Sequence, residues 1–266
     1  MSWRRMYAVM LRYFYLLRGS VSRVAPLFSW VAVDIVLWGF LSRYLNTIVG
    51  GGFNFVPALV GAILLWDFFI RVMQGVTMTF FEDVWSRNFL NYFATPLSIP
   101  EYVGGLVMTS IFTSAVGLIV MVLLAGVFGL SYLVYGALLV PFLLMLFMFG
   151  ISLGIIACAV VLRMGPASEW FIWPIPAFLS PFVGVLYPMS TLPRGMRAIG
   201  WLLPPSHVFE GLRAVLTGGP SPIHHLLWSA LLNVLFLFAA MAIFSRTHRY
   251  AIRTGLIARY SAESVA

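Results

Sequence analysis

Lysine is missing altogether: all 16 basic side chains are arginines. The phosphate-cradling loop of ATPases, G-x-x-x-x-G-K-[ST], depends on a lysine that reaches the terminal phosphates, so this chain cannot carry it and any dependence on ATP must come from a partner. Cysteine is nearly missing too. The single Cys158 lies inside an apolar run, which excludes an intrachain disulfide and a cysteine-based metal cluster. Charge is scarce: 9% of the residues are charged, whereas a soluble domain carries about a quarter, so that class is excluded. H-E-x-x-H does not occur. The formal net charge of +8 comes from arginines scattered at helix ends, with no basic stripe interleaved with polar residues, and this excludes a nucleic-acid footprint.

What is present is hydrocarbon. With 62% hydrophobic residues in a chain of 266, and roughly 20 apolar residues needed per membrane-spanning helix, about six or seven spans fit and no second soluble domain does. The expected fold is an all-α integral membrane protein. Residues 1–20 hold neither a continuous apolar stretch nor a small-residue cleavage site, so they are not a secretory signal. Instead Trp3, Met6, Tyr7, Met10, Phe14 and Leu17 fall at helical spacing, with Arg4, Arg5, Arg12 and Arg18 off that stripe. The pattern predicts an amphipathic interfacial helix within residues 1–23, lying along a membrane surface. A cytosolic helix packed on a partner is the other reading.

Apolar windows then cover residues 24–45, 55–81, 98–127, 137–162, 170–187 and 223–244, within a transmembrane domain of residues 24–245 and ahead of a cytoplasmic tail at 246–266. Gly50, Gly51, Gly52 and Asn54 separate the first two. Ser98 and Glu101 have the spacing of a capping box, with Pro100 in the first turn of the third. Pro174, Pro176 and Pro181 predict a kinked or broken fifth span. Six spans put both termini on one side, and arginine chooses the side. With cytoplasmic termini, Arg4, Arg5, Arg12, Arg18, Arg23, Arg87, Arg163, Arg246, Arg249, Arg253 and Arg259 are inside, against Arg43, Arg194, Arg197 and Arg213 outside. Arg71 is left within the membrane.

Two connections exceed a turn. Residues 82–100, EDVWSRNFLNYFATPLSIP followed by Glu101, read as a short amphipathic helix with Trp85, Phe89, Leu90 and Phe93 on its apolar side, then a break at Thr95-Pro96. These aromatics either dock on another protein or anchor at the lipid interface. Residues 188–222 contain two apolar stretches, 194–203 and 206–216, too short to span and bracketed by proline and glycine, a pattern of outer re-entrant helices. Glu210 and Arg213 are three apart and can form an ion pair on one face.

With these features assembled, the chain resembles the permease subunits of type-2 ATP-binding-cassette (ABC) exporters over nearly its whole length. The most specific element is LPRGMRAIGWLLPPSHVFEGLRAVLTG, with Leu192, Pro193, Pro204, Glu210 and Arg213 in place. Many members carry a Ser-Gly pair and an aromatic run near the end of the fifth helix, where this chain has Val183-Gly184-Val185-Leu186-Tyr187. The resemblance implies a permease that is itself no enzyme and holds no cofactor. It implies a second permease copy, cytoplasmic ATPase subunits that bind ATP and Mg, and a place in the bacterial cytoplasmic membrane among lipids. It assigns residues 82–100 as the coupling helix, with Glu82, Asp83, Trp85, Arg87, Phe89, Leu90, Phe93 and Pro96 as coupling residues, and 194–216 as the two re-entrant helices. The substrate class it implies is amphipathic, lipid-, glycan- or drug-like.

Charges inside the membrane cost about 2.5 to 3.5 kcal/mol each on insertion scales, so each needs a partner. Asp67 and Arg71 are four apart and can pair within their helix, whereas Asp34 has no cation within a turn. They are structural or on the transport path. The chain has 23 Phe, 11 Tyr and 9 Trp; Trp38, Trp66, Phe69 and Trp173 are the aromatic candidates for that path, against ordinary packing and interfacial belts. Gly150-x-x-x-Gly154 permits a close helix approach, a candidate dimer seam. Two other function classes stand beside the permease. His207, His224 and His225 raise a membrane haem-handling or enzyme protein, and Asp34 with Asp67 raises an ion-coupled secondary transporter, which inverted repeats of broken helices would accompany.

Overall fold

The computed structural model describes residues 2–19, 21–49, 56–86, 91–92, 95–127, 129, 132–219 and 221–256. Among these residues the chain is helical, with no strand. The α-helices are α1 (Trp3–Arg18), α2 (Val21–Val49), α3 (Ala62–Trp85), α4 (Ile99–Val127), α5 (Leu139–Met164), α6 (Ile175–Val183), α7 (Arg194–Trp201), α8 (Pro204–Thr217) and α9 (Ile223–Arg253). A π-helical turn (Val56–Gly61) leads into α3, and 3-10 turns (Tyr132–Leu138, Pro166–Phe171, Met189–Thr191) enter or link the later helices.

Four helical segments are long and apolar enough to cross a membrane: Leu59–Trp85, Ile99–Val127, Tyr135–Met164 and Ile223–Arg253. At about 1.5 Å per residue each exceeds the roughly 30 Å hydrocarbon thickness. The bundle is apolar outside as well as inside, with Phe40, Ile119, Leu123, Leu235 and Phe238 all exposed. Water would not tolerate such a surface, and lipid does. α3 is the central helix, buried at most positions and packed on α4 and α5, while α5 packs on α9. Ser110 of α4 donates to the Val72 carbonyl of α3 at 2.7 Å, and Ser229 of α9 donates to the Pro204 carbonyl at 3.1 Å. Such bonds join helices where hydrophobicity alone cannot.

The bundle has two ends. Its base carries the end of α3, the start of α4 and the end of α5; the far end carries α7, α8 and the start of α9. The fifth window, expected to be kinked or broken, is not a single helix. Residues 166–183 comprise a 3-10 turn, a turn and the nine-residue α6, with Pro181 inside it. The stretch still links the two ends. Trp85 donates to Glu169 at 2.9 Å at the base, and Arg213 of α8 donates to the Gly184 carbonyl at the far end. The sixth window also differs: α9 continues to Arg253, so residues 246–253 of the expected tail are helical.

α1 differs most. It follows α4 in parallel, with Ser2 and Arg5 at Glu101 and Phe14 against Phe112 at 4.5 Å between ring centroids. Close approach is set by Gly105, where a Cβ would stand 2.6 Å from that of Val9. Val9 and Tyr13 are therefore the buried positions, whereas Trp3 and Tyr7 of the predicted apolar stripe are exposed. The face turned inward is rotated by about one residue, and it takes Arg5 and Arg12 with it.

Candidate functional site

At the base, four elements converge on two carboxylates. Asp83, on the last turn of α3, is fully buried. It forms an ion pair with Arg12 of α1, and the Tyr102 hydroxyl of α4 donates to it at 2.7 Å. Arg12 also donates to the Tyr92 hydroxyl at 2.7 Å and to Ser86 Oγ at 3.0 Å, and its guanidinium lies 5.3 Å from the Tyr92 ring centroid. Glu101 accepts from the Ser98 amide at 3.0 Å, the capping arrangement read from the sequence, and in addition from the Ser2 amide at 2.6 Å and from Arg5 at 3.1 Å. Arg5 further donates to the Pro96 carbonyl at 2.5 Å. The amphipathic helix is thus tied to both sides of the 82–100 connection, through Ser86 and Tyr92 on one and Pro96 and Glu101 on the other.

Of the coupling residues, Trp85 and Pro96 are exposed, Glu82 is half-buried, and Asp83 is enclosed and held by Arg12, off the outer surface. Arg87, Phe89, Leu90 and Phe93 lie outside the described residues. The clamp itself, Arg5 and Arg12 with Tyr92 and Tyr102, is absent from the sequence-based site. The only signal for it was that two arginines, seven apart, share a helix face.

Within the bundle, Asp34 of α2 lies near enough to Asp67 of α3 for their charges to interact. Asp67 and Arg71 do not form the expected intrahelical pair: no hydrogen bond or ion pair joins them, and Asp67 Oδ2 and Arg71 Nε are both buried without a partner. The aromatic candidates separate. Trp66 and Phe69 are core, with ring centroids 4.6 Å apart; Phe69 stacks on Phe149 at 5.4 Å, and Trp66 meets Phe209 at 6.2 Å. Trp38 is half-buried and Trp173 is exposed. Gly150 and Gly154 face α3, where a Cβ would stand 2.8 Å from Val72 Cγ1 and from Val76 Cβ respectively. The close approach is therefore a seam inside the chain.

At the far end, α7 and α8 begin at Arg194 and Pro204, close to the predicted bounds. Leu192 and Pro204 are buried and Pro193 is exposed. Glu210 and Arg213 pair at 3.2 Å, and both also hold the loop that ends the broken stretch. Glu210 accepts from the Met189 amide at 2.8 Å, while Arg213 donates to the carbonyls of Gly184 and Val185. Gly184 makes that turn with φ of 66°, a left-handed conformation that favours glycine. His207 is buried against Trp201 and bonds its carbonyl at 3.1 Å through Nε2. Burial pushes its imidazole below the ordinary value, and a carbonyl can only accept, so the neutral ring carries its proton on Nε2. Trp228 donates to His224 at 3.0 Å. Among the described residues no three metal-ligating side chains converge.

Compared with known protein families and with curated proteins, the chain matches none.

Proposed function

We propose that the chain is the membrane-spanning permease subunit of an ABC exporter. It forms the path for an amphipathic, lipid-, glycan- or drug-like substrate, while separate cytoplasmic subunits bind ATP and Mg and perform hydrolysis. The observation that carries the reading is the clamped base: the 82–100 connection, which resembles a coupling helix, is anchored on both sides by α1, α3 and α4, so a push on it is transmitted to the bundle and not absorbed by a loose loop. The missing P-loop lysine supports a borrowed ATPase.

In this reading six crossings consist of the four long helices, the 29-residue α2, and residues 166–183. Counted at about 2.0 Å per 3-10 residue and about 1.5 Å per α residue, the two helical pieces of that last stretch rise roughly 26 Å, with a three-residue turn between them. α7 and α8 re-enter from outside, both termini are cytoplasmic, two copies assemble, and the membrane is the bacterial cytoplasmic one. Trp85, Phe89, Leu90 and Phe93 dock on the ATPase, and Asp83 positions them.

The test is Phe89→Ala combined with Phe93→Ala. A buried aromatic anchor contributes about 2 kcal/mol or more, so co-purification of the ATPase should weaken about thirtyfold or more while membrane insertion stays intact. Asp34→Asn should leave partner recovery normal. Unchanged recovery in the double-alanine protein sinks the docking assignment.

One observation favours a second reading. Asp34 and Asp67, brought together from separate helices, would serve an ion-coupled secondary transporter. Vesicle transport that needs ATP and survives a protonophore supports the exporter; transport that runs without ATP and collapses with the protonophore supports the alternative.

A further inference from the structure

Between α1, α3 and α4 lies a cavity of about 120 Å³, bounded by Phe14, Leu17, Arg71, Gln74, Phe112 and Thr113 among others. Arg71 is 9% exposed and makes no ion pair or hydrogen bond among the described residues; its Nε is buried without a partner. Asp67, a turn away, is near enough for its charge to act on Arg71 but makes no hydrogen bond or ion pair with it. The side chain is turned along α4 at Gly117, where a Cβ would collide with its Cδ. An arginine cannot escape the penalty of burial by losing its proton, so a guanidinium with no bonded acceptor at this depth calls for an anionic ligand. Apart from Tyr13, Gln74 and Thr113, the rest of the wall is apolar. Phe112, 50% exposed, belongs to the face of α4 that presents Ile111 and Ile119 outward, so the cavity opens where lipid lies.

We propose that this cavity binds the anionic head group, phosphate or carboxylate, of a membrane amphiphile. Arg71 supplies the paired donors that match such an anion, and Gln74 and Thr113 stand beside it with further polar groups. The cavity has room for a phosphate or carboxylate group and not for a whole lipid. The chain of the amphiphile therefore runs outside, across Phe14, Leu17 and Phe112. Because α1 forms one wall, occupancy also ties α1 to the bundle. The proposal rests on membrane insertion alone and survives if the exporter reading fails.

The full-length protein is exchanged from membranes into nanodiscs of phosphatidylcholine, alone or mixed with phosphatidylglycerol or with oleate. Thermal unfolding is followed, and retained anionic lipid is counted by native mass spectrometry. The expected result is a higher Tm and retained anionic amphiphile in the mixed discs. Arg71→Gln should reduce retention about tenfold or more and abolish the Tm gain, and Arg71→Lys should keep part of both. Thr113→Phe fills the cavity while leaving the cation, and should abolish retention as well; it decides the matter if Arg71→Gln does not fold. Equal retention in wild type and Thr113→Phe, or in wild type and a folded Arg71→Gln, overturns the proposal. A Tm gain from inorganic phosphate in phosphatidylcholine discs, lost in Arg71→Gln, also overturns it, since the site would then serve a free anion.

Discussion

A buried carboxylate is costly unless its oxygens are engaged, and Asp83, fully enclosed, has Arg12 and the Tyr102 hydroxyl on it. Arg12→Gln should therefore destabilise the protein by about 3 kcal/mol, because it leaves a charge inside without its partner. Arg12→Gln with Asp83→Asn should cost clearly less than the two single changes added together, measured as unfolding free energy in detergent; additive losses would show that the pair is not coupled. What the sequence revealed at this scale was local. Glu101 was legible as a cap because Ser98 stands three residues before it, and Glu210 with Arg213 because they share a helix face. Arg12 was not legible: it reaches 74 positions to Ser86 and 80 to Tyr92. No local pattern says which of Arg4, Arg5, Arg12 and Arg18 turns inward. That is decided by the groove that Gly105 opens on α4.

Among elements, α5 approaches α3 closely at Gly150 and Gly154. Cβ atoms there would press on Val72 and Val76 and on the carbonyls of Phe69 and Met73, each carbonyl 3.0 Å away. Gly150→Ala with Gly154→Ala should separate the helices and lower stability by about 1 to 3 kcal/mol per site, the range for overpacked cores. A cross-linking assay for self-association should stay unchanged, since the seam lies within one chain; lost self-association with intact stability would restore the dimer-seam reading. The pattern itself was readable, but its partner was not, because a small-xxx-small motif says how near a helix can come and not which helix comes. The outer elements were readable to within a few residues, since Pro193, Pro204 and Gly218 bracket α7 and α8. The break before α6 was announced by Pro174 and Pro176. That Glu210 and Arg213 both grip the Gly184–Met189 turn could not be read, because backbone carbonyls and amides leave no mark in a sequence.

For the whole molecule, composition sufficed to exclude a water-soluble fold, and the long apolar runs gave the helices. It did not give their order in space. α3 is the least apolar of the four long helices and the most buried. Lipid reverses the usual rule: helices facing hydrocarbon gain nothing from being inside, while polar Gln74, Thr77 and Asp83 need protein around them. The orientation is testable in a Cys158→Ser background, where the replaced thiol is itself buried. A cysteine at the exposed Ser190 should react with an impermeant reagent added outside, and one at Ser86 should react only after permeabilisation. Reversed labelling would invert the topology.

The register of α1 on α4 also constrains how the protein is made. The amide of Ser2 is bonded to Glu101, 99 positions later in the chain. At about 5 to 20 residues per second of synthesis, the first helix leaves the ribosome roughly 5 to 20 seconds before its groove exists. During that interval Arg5 and Arg12 have only water and lipid phosphates to satisfy them. The exposed aromatics Trp3 and Tyr7, idle in the finished bundle, are suited to hold the helix at the membrane surface until α3 and α4 have been inserted. The resting place read from its apolar spacing is then a waiting position on the way to its final one, and assembly closes backwards, with α1, made before α3 and α4, docking after them.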